Sequence, residues 1–441
     1  MEAYNVLIIG SGPAGLFAAI ELERQGLDRI AIIDRHLYPA GGLLNDGKLN
    51  FDYRIGIDLD ELKIDRNSAE QLMEEIRQVL IRFPKCQQVT FIDKNEKIEA
   101  LRNIAKEHGA QFIAPEQWHW GTDNGKAAVD YLRKRLKKTK FLLGTEVTSI
   151  ARLNDSIYQL SCSCQRKKVF HTAKVILAAP GRGGAYWFRD VAAKLNIHHN
   201  FGPIDVGIRV ELSRKYYDDV TDIVYDPKFI FSTARHGDKV RTFCTNPGGR
   251  VRTEDYYNFK LVNGDALRGK KTENTNFALI NTVLLTEPFS DTTEFGQMIA
   301  KQFFLLGGGR PIVQRVGDFR EGRRSSNATF NSRNRHFEVC KATYNATPGD
   351  ITLGLPARII DNLWESLKKI DKIVPGILHP STLLYAPEIK FFDTHFITDK
   401  NLETNVKGIF VAGDGAGKSR GIVGAGISGI LAARGIFRKH F

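Results

Sequence analysis

Cysteine is scarce and poorly placed for chemistry. The chain has five, Cys86, Cys162, Cys164, Cys244 and Cys340, an odd number with no Cys-x-x-Cys pair. That spacing argues against a disulfide framework, a zinc or iron–sulfur site, and a dithiol redox pair. No metal is expected. Cys162-Ser163-Cys164 alternates within an expected strand, so both thiols face one side as small apolar groups. Long apolar runs are also missing. None reaches 18 residues, so no transmembrane helix is read. The apolar N-terminus carries Glu2 where a secretory signal needs a basic region. A cytoplasmic location without a membrane partner is expected.

What is present is ordinary for a globular chain. Hydrophobic residues make up 42% and charged residues 26% of 441, enough for two or three structural units. The formal net charge of +13 suits an anionic cofactor or substrate, a nucleic acid, or simply a solvated surface.

The organising stretch runs from Val6 to Asp34. Val6–Ile9 reads as a buried parallel strand. Gly10-Ser11-Gly12-Pro13-Ala14-Gly15 follows, a complete G-x-G-x-x-G, and then a helical pattern that Gly26 ends. Ile30–Ile33 is a second strand tipped by Asp34, 24 residues after Gly10. Gly10 permits the turn, Gly12 lets backbone approach a pyrophosphate, and Gly15 lets helix and strand pack closely. The helix N-terminus offers N–H groups and a positive dipole end to the phosphates, and Asp34 is placed for a ribose diol. The motif alone does not choose between NAD and FAD.

The next loop, Arg35–Asn50, tolerates positive φ at Gly41-Gly42 and Asn45-Asp46-Gly47-Lys48. Leaving a strand end, it is expected to touch the cofactor through Arg35, Gly42, Asn45 and Lys48. Helices are expected over Asp58–Phe83, Lys94–Glu107 and Gly125–Lys137, the last capped by Thr122 or Asp123. His119 is read as structural before catalytic. From Phe141 the pattern turns to an antiparallel meander, Thr145–Leu153, Ile157–Cys164 and Lys168–Thr172. A separate apolar strand, Val175–Ala178, then leads into Ala179-Pro180-Gly181 and a helix over Ala185–Leu195.

Residues from Asn200 to about Ser381 read as short strands and Gly/Pro turns, Asn263-Gly264 among them. Gly307-Gly308-Gly309 lacks a strand-then-helix context and is rejected as a nucleotide site. Seven arginines lie between Arg310 and Arg335, an anion site or an exposed loop. Near the end, Ile409–Ala412 is a strand, Gly413-Asp414 a turn, and a Gly/Ala-rich helix follows from about Ile422 to Phe437; Gly413, Gly421, Ile422 and Val423 are expected to contact the cofactor. Asp414 can anchor a ribityl chain or phosphate, and the helix dipole can face the polar edge of a flavin ring. Gly424-Ala425-Gly426-Ile427-Ser428-Gly429 also fits G-x-G-x-x-G but falls inside that helix, where small residues serve packing.

The opening cradle, Ala178–Gly181 and Gly413-Asp414 together resemble the glutathione-reductase-like FAD superfamily. The chain is most similar to a branch of poorly characterised bacterial FAD-dependent dehydrogenases, through Asn45–Leu49, Gly121–Asp123, Ile204–Glu211, Arg241–Cys244, Asn274–Leu279, Tyr385–Lys390 and Gly413–Gly429. The resemblance implies FAD. It implies that Gly10, Ser11, Gly12, Pro13, Ala14 and Gly15 hold the pyrophosphate and Asp34 the adenosine ribose. Val147 would meet adenine through its backbone, Ala179 and Gly181 would line the turn, and Asp414 would anchor the ribityl end. Asp34 stands where Glu is commoner, and Ala179-Pro180-Gly181 replaces an Ala-Thr-Gly turn.

The expected fold is α/β. A doubly wound, Rossmann-like FAD-binding domain is assembled from residues 1–199, with a helical insertion near 55–108, and residues 386–441. A mixed, mostly β substrate domain is inserted over 200–385. The expected activity is FAD-dependent oxidoreduction, hydride transfer between flavin and an organic, anionic small molecule. Without a second usable G-x-G-x-x-G, NAD(P)H is expected only as a visitor. Tyr385, Glu388 and Lys390 are the first candidates to face the reacting centre, then Arg209 and Asn276; Tyr and Lys can donate protons. A Glu388–Lys390 salt bridge is the competing reading, because i and i+2 share a strand face. Two other functions fit the composition. An RNA-modifying flavoenzyme would bind RNA in a salt-sensitive way, and a non-catalytic flavin sensor would be reduced without turning over substrate.

Overall fold

In this computed structural model, residues 3–38, 41–44, 47–92, 96–256, 259–331, 340–392 and 394–441 are described. The chain divides into two compact units. The first comprises Met1–Gln87, Trp118–Gly202 and Phe392–Phe441, and the second Gln88–Gln117 and Pro203–Phe391.

The first unit is built on a parallel sheet. Lys140–Leu143, Ile30–Asp34, Ala3–Ile9 and Lys167–Ala178 lie side by side in that order, with Ile409–Val411 beyond the last. Alternation along Ala3–Ile9 buries both faces. Val6 and Ile8 enter one core with Leu16, Phe17 and Ile427, and Leu7 and Ile9 enter another with Phe188 and Val191. A strand covered on both sides reads as a continuous apolar run, as this one does.

Lys167–Ala178 is one strand where two were expected. Its first half pairs antiparallel with Ile157–Cys164, and its second half joins the parallel sheet beside Ala3–Ile9 and Ile409–Val411. No turn-forming residue separates Thr172 from Val175, so the chain keeps its direction and changes partners.

Three helix expectations are corrected. Asp58–Phe83 splits into Leu59–Leu62 and Arg66–Leu80, because Lys63 is left-handed at φ 53° and the Asp65 carboxylate accepts from Ser68 N to start the second helix. The helix at Gly125–Arg133 follows a 3-10 turn, Thr122–Asn124, and has no side-chain cap bond. The helix expected from Ala185 starts earlier, spanning Gly181–Lys194.

The closing helix, Gly421–His440, packs against Pro13–Arg24. A Cβ on Gly429 would lie 2.1 Å from Ala14 O, and one on Gly15 would lie 2.0 Å from Gly10 O. Gly424–Gly429 therefore serves helix packing, as expected. By length and composition Gly421–His440 could cross a membrane, but most of it is buried within its unit.

The second unit holds an eight-stranded sheet in the order Thr347–Pro348, Ile312–Arg315, Leu383–Lys390, Ile204–Ser213, Asn274–Val283, Lys239–Pro247, Lys228–Ser232 and Ala110–Ile113. All pairings are antiparallel except the first. Helix Ala357–Ile373 packs through Ile359, Leu363, Leu367 and Ile370, and Asn362 Nδ2 donates to Asn281 Oδ1 at 2.7 Å. A hairpin, Arg250–Tyr256 with Phe259–Asp265, places Asn263 against Arg209 of the sheet's other face.

These pairings shift the expected boundaries. Residues 88–117, assigned to the first domain, join the second unit because Ala110–Ile113 extends its sheet beside Lys228–Phe231. Residues 386–391 stay there too, since Leu383–Lys390 is one strand paired with Ile204–Ser213. Asn263-Gly264 is strand rather than turn. Gly307–Gly309 ends the helix Thr292–Leu306, consistent with its rejection as a nucleotide site.

Replacing Gly429 by Val is expected to cost about 3 kcal/mol or more, because the clash is with backbone that has no room to move. Urea denaturation of the variant against the parent measures it.

Candidate active site

Three turns meet at the carboxyl edge of the first unit's sheet, where strand order reverses around Ala3–Ile9 and Lys167–Ala178. Open α/β sheets bind ligands at this place. Backbone bonds tie each turn to its neighbour: Gly10 N to Ile33 O at 2.8 Å, Ala179 N to Ile9 O at 2.8 Å, and Ala412 N to Ala178 O at 3.0 Å. Gly10 sits at φ 101°, and a Cβ there would lie 2.1 Å from Ala179 O, so only glycine fits. The Gly413–Gly415 turn packs on Gly181 in the same way.

Inside this ring, other glycines face open space. A Cβ on Gly12 would meet only Gly41 Cα, at 3.9 Å, and one on Gly42, Gly181 or Gly421 would meet no atom within 4 Å among the described residues. Tight packing behind and clearance in front is what backbone approach to a pyrophosphate requires.

Helix Pro13–Arg24 opens with Pro13 in its first turn and no side-chain cap. Its first intrahelical bond is Leu16 N to Gly12 O, at 3.0 Å, so the Ala14 and Gly15 N–H groups precede the helical ladder. They are available to an anion. Helix Gly421–His440 likewise opens without a side-chain cap.

Asp34 ends its strand half-buried. Its Oδ2 accepts from Ser11 N at 3.0 Å and Ser11 Oγ at 2.8 Å, and its Oδ1 accepts from His36 N at 2.9 Å. It therefore fixes the glycine turn, and its remaining lone pairs suit a diol. Arg35 is exposed and reaches Gly183 O at 3.4 Å. Lys48 is buried at 6% exposure, and Asn45 lies outside the described residues. Val147 buries its side chain, and its strand, Thr145–Asn154, forms the sheet edge with a register shift between Val147 and Ser149. Asp414 is half-buried with Oδ2 3.8 Å from Arg182 Nε. Gly413 N donates to Ser428 Oγ of the closing helix at 3.0 Å.

The reading of motifs missed a charged group beside this edge. Lys418 lies between Gly417 and Gly421, its side chain only 2% exposed, and its Nζ bonds Glu61 Oε1. His395 Nδ1 lies 3.5 Å from Glu61 Oε2, and Arg420 N donates to Gly56 O at 2.7 Å. Burial alone would raise the Glu61 carboxyl, but bonds from His395 and Lys418 outweigh it and hold it at about 2. Burial pushes the Lys418 ammonium down, opposed by Glu61. The signal available in the sequence was one lysine within a run of glycines.

All five candidate catalytic residues lie in the second unit. Four form one buried network. Arg209 binds Glu388 with both arms, Nε–Oε2 and Nη2–Oε1 each at 2.7 Å, and donates to Asn276 Oδ1 at 2.8 Å. Lys390 Nζ lies 2.8 Å from Glu388 Oε1, the salt bridge set against catalysis in the sequence reading. Arg209, Asn276 and Glu388 are 0% exposed and Lys390 5%. Burial would raise the Glu388 carboxyl, but Arg209 and Lys390 outweigh it, so it stays ionised. A Cβ on Gly264 would fall 2.2 Å from Asn276 Oδ1 and 2.5 Å from Arg209 Nη1, so the covering hairpin needs glycine there.

Tyr385 stands apart, donating to Glu211 Oε2 at 2.7 Å. Burial pushes Glu211 up, and Thr343, Tyr385 and Asn274 oppose this only in part. Burial, then Glu211, pushes the Tyr385 phenol well above its usual range. Of the arginines of 310–335, the described Arg315, Arg320 and Arg323 each meet different partners. Arg315 is buried over the Phe330 ring, Arg320 bonds Leu378 O, and Arg323 pairs with Glu321; Arg333 and Arg335 lie outside the described residues.

Residues 3–136 match the family model of an FAD binding domain. The cofactor is FAD. Residues 203–390 match the model of an FAD-dependent protein, C-terminal domain-like. Both fit the structure: the first opens on the glycine cradle, and the second coincides with the larger part of the second unit. A protein from Clostridium beijerinckii described only as uncharacterized is 24% identical over 98% of this chain and 80% of its own. Glycine oxidase from Geobacillus kaustophilus is 12% identical, covering 100% of this chain and 96% of that one at a TM-score of 0.44. p-Nitrophenol 4-monooxygenase from Pseudomonas putida DLL-E4 is 10% identical over 98% and 78%, at 0.42. Likeness at this level says nothing about the reaction.

Two predictions follow from the charges. Glu388→Ala leaves Arg209 and Lys390 buried without their shared counter-ion and is expected to cost about 3–5 kcal/mol in urea unfolding, whereas Arg209→Met, Glu388→Leu and Lys390→Met together cost less. Glu61 titrates at about 2 in the folded chain against an ordinary 4.5. A depressed carboxyl stabilises the fold above its ordinary value and loses that contribution as pH falls towards the folded one. Melting temperature is therefore expected to fall between about pH 4.5 and 2 less steeply in Glu61→Gln than in the parent.

Proposed function

We propose that this flavin-dependent oxidoreductase transfers hydride between its flavin and an anionic organic small molecule. The observation that carries the flavin half is the cradle: glycines packed tightly behind and open in front, at the point where strand order reverses. When bound, FAD supplies the hydride acceptor or donor.

The chain's own residues bind and orient. The Ala14 and Gly15 N–H groups and the helix dipole meet phosphate charge. Asp34 accepts from ribose hydroxyls while holding Ser11. Asp414, braced by the Gly413–Ser428 bond, accepts from the ribityl end. The uncapped start of Gly421–His440 would offer its positive end to the polar part of a bound flavin. In the second unit, Arg209 keeps Glu388 ionised and fixed, and Glu388 fixes Lys390. Arg209 is thus a positioning residue, and Lys390 is the group of this network suited to meet substrate charge. Tyr385 keeps its proton on Glu211 and organises the neighbouring core. A visiting NAD(P)H remains part of the proposal as electron donor. No structural observation favours RNA as substrate or a purely sensory role.

Denaturing the purified protein is expected to release FAD. In Asp414→Ala, affinity is expected to fall by about ten- to a hundredfold, the worth of one charged hydrogen bond. A colourless protein, or full flavin content in the variant, counts against this reading.

A further inference from the structure

One face of the second unit's sheet holds charge that its own pairing does not use up. Phe243 stands opposite Ala278, and Ala278 opposite Arg209. One step along, Gly207 stands opposite Glu388. The two strands between Phe243 and Lys390 thus carry small residues, Ala278 and Gly207, at the crossing. Three cationic heads reach the half-buried Phe243 ring: Arg241 Cζ at 5.4 Å, Lys228 Nζ at 5.5 Å and Lys390 Nζ at 5.8 Å from its centroid. Cations favour a ring face, but three around one ring also repel each other.

Each cation has one close carboxylate. Arg241 meets Asp205 at 2.6 Å, Lys228 meets Asp226 at 2.6 Å, and Lys390 meets Glu388 at 2.8 Å. Glu388 is shared with Arg209, a fourth cation. Arg252 and Glu254 beside them, 4.0 Å apart, offset each other, and burial favours the neutral form of Glu211. The four cations Arg209, Lys228, Arg241 and Lys390 share three of these carboxylates.

Donors are in excess as well. Among the described residues, Arg241 commits one of its five N–H groups, to Asp205. Lys390 commits one of its three, to Glu388. Asn276 is 0% exposed. Its Oδ1 accepts from Arg209 and Asn246, which fixes the amide's orientation. Its Nδ2 then has no acceptor among the described residues. A buried donor without a partner is costly and asks for a ligand atom or a water.

We propose that this face binds a small carboxylic acid, with its carboxylate between Arg241 and Lys390 and its body against Phe243. The planar fork of Arg241 matches carboxylate geometry. As the substrate's binding site this rests on the oxidoreductase reading; as a carboxylate site it stands on the second unit's residues alone.

The test uses the full-length flavin-loaded protein and titration calorimetry with benzoate, its neutral isostere benzamide, and inorganic phosphate. Benzoate is expected to bind saturably, and benzamide at least about tenfold more weakly. Arg241→Met and Lys390→Met are each expected to weaken benzoate at least about tenfold, with flavin content held. Arg241 is 20% exposed at its side chain, so its variant keeps the test usable if Lys390→Met does not fold. The proposal is overturned by any of three results: no saturable benzoate binding, equal binding of benzamide or phosphate, or parental affinity in Arg241→Met. A protein that releases no FAD on denaturation sinks the oxidoreductase reading and leaves the calorimetric result readable.

Discussion

The structure of the first unit depends on one repeated contact, backbone bonding from each turn to the end of the neighbouring strand. Gly10 to Ile33, Ala179 to Ile9 and Ala412 to Ala178 form a row across the sheet's carboxyl edge. These bonds bring three turns from distant parts of the sequence within van der Waals contact. Side chains would not fit there, which is why the turns are glycine and alanine. The same crowding turns N–H groups and helix ends outward, so the demand of packing and the demand of anion binding select the same residues.

The second unit solves a different problem. Its sheet buries Arg209, Glu388, Lys390, Asn276 and Asn246 on one face, under a hairpin that brings in Asn263 and comes in on a glycine. An apolar core of similar volume would be no less stable. Full use of every Arg209 donor, beside a Lys390 that is only partly committed, separates the residues that hold from those left to act. Tyr385 and Glu211 belong to the holding part: the phenol and the carboxyl share a bond within a well-packed cluster.

The glycine cradle, its acid and the Gly413-Asp414 turn were legible because each is a local pattern with a local cause. The grouping of Arg209, Asn276, Glu388 and Lys390 was legible in outline, since alternation along strands puts them on one face. Tyr385 lies three residues before Glu388, so alternation alone sets it on the opposite face; the register shift between Gly207 and Arg209, which no residue type announces, instead places it opposite Arg209 and within reach of Glu211. Pairing of Ala110–Ile113 with Lys228–Phe231 was hidden for a similar reason, as it joins segments over a hundred residues apart. Glu61, His395 and Lys418 escaped because their meeting is made by tertiary packing around a loop. The helix over Asp58–Phe83 looked continuous because its apolar spacing ignores the left-handed Lys63.

Lys167–Ala178 has one more consequence. Its first half is an arm of an antiparallel meander and its second half carries the turn that closes the cradle. A slip of one residue in the meander would rotate every side chain beyond it to the opposite face and displace Ala179–Gly181 from Gly10 and Gly415. The outlying hairpin therefore acts as a ruler for the ligand edge. A change in its loop, far from any nucleotide contact, alters cofactor retention through strand length alone.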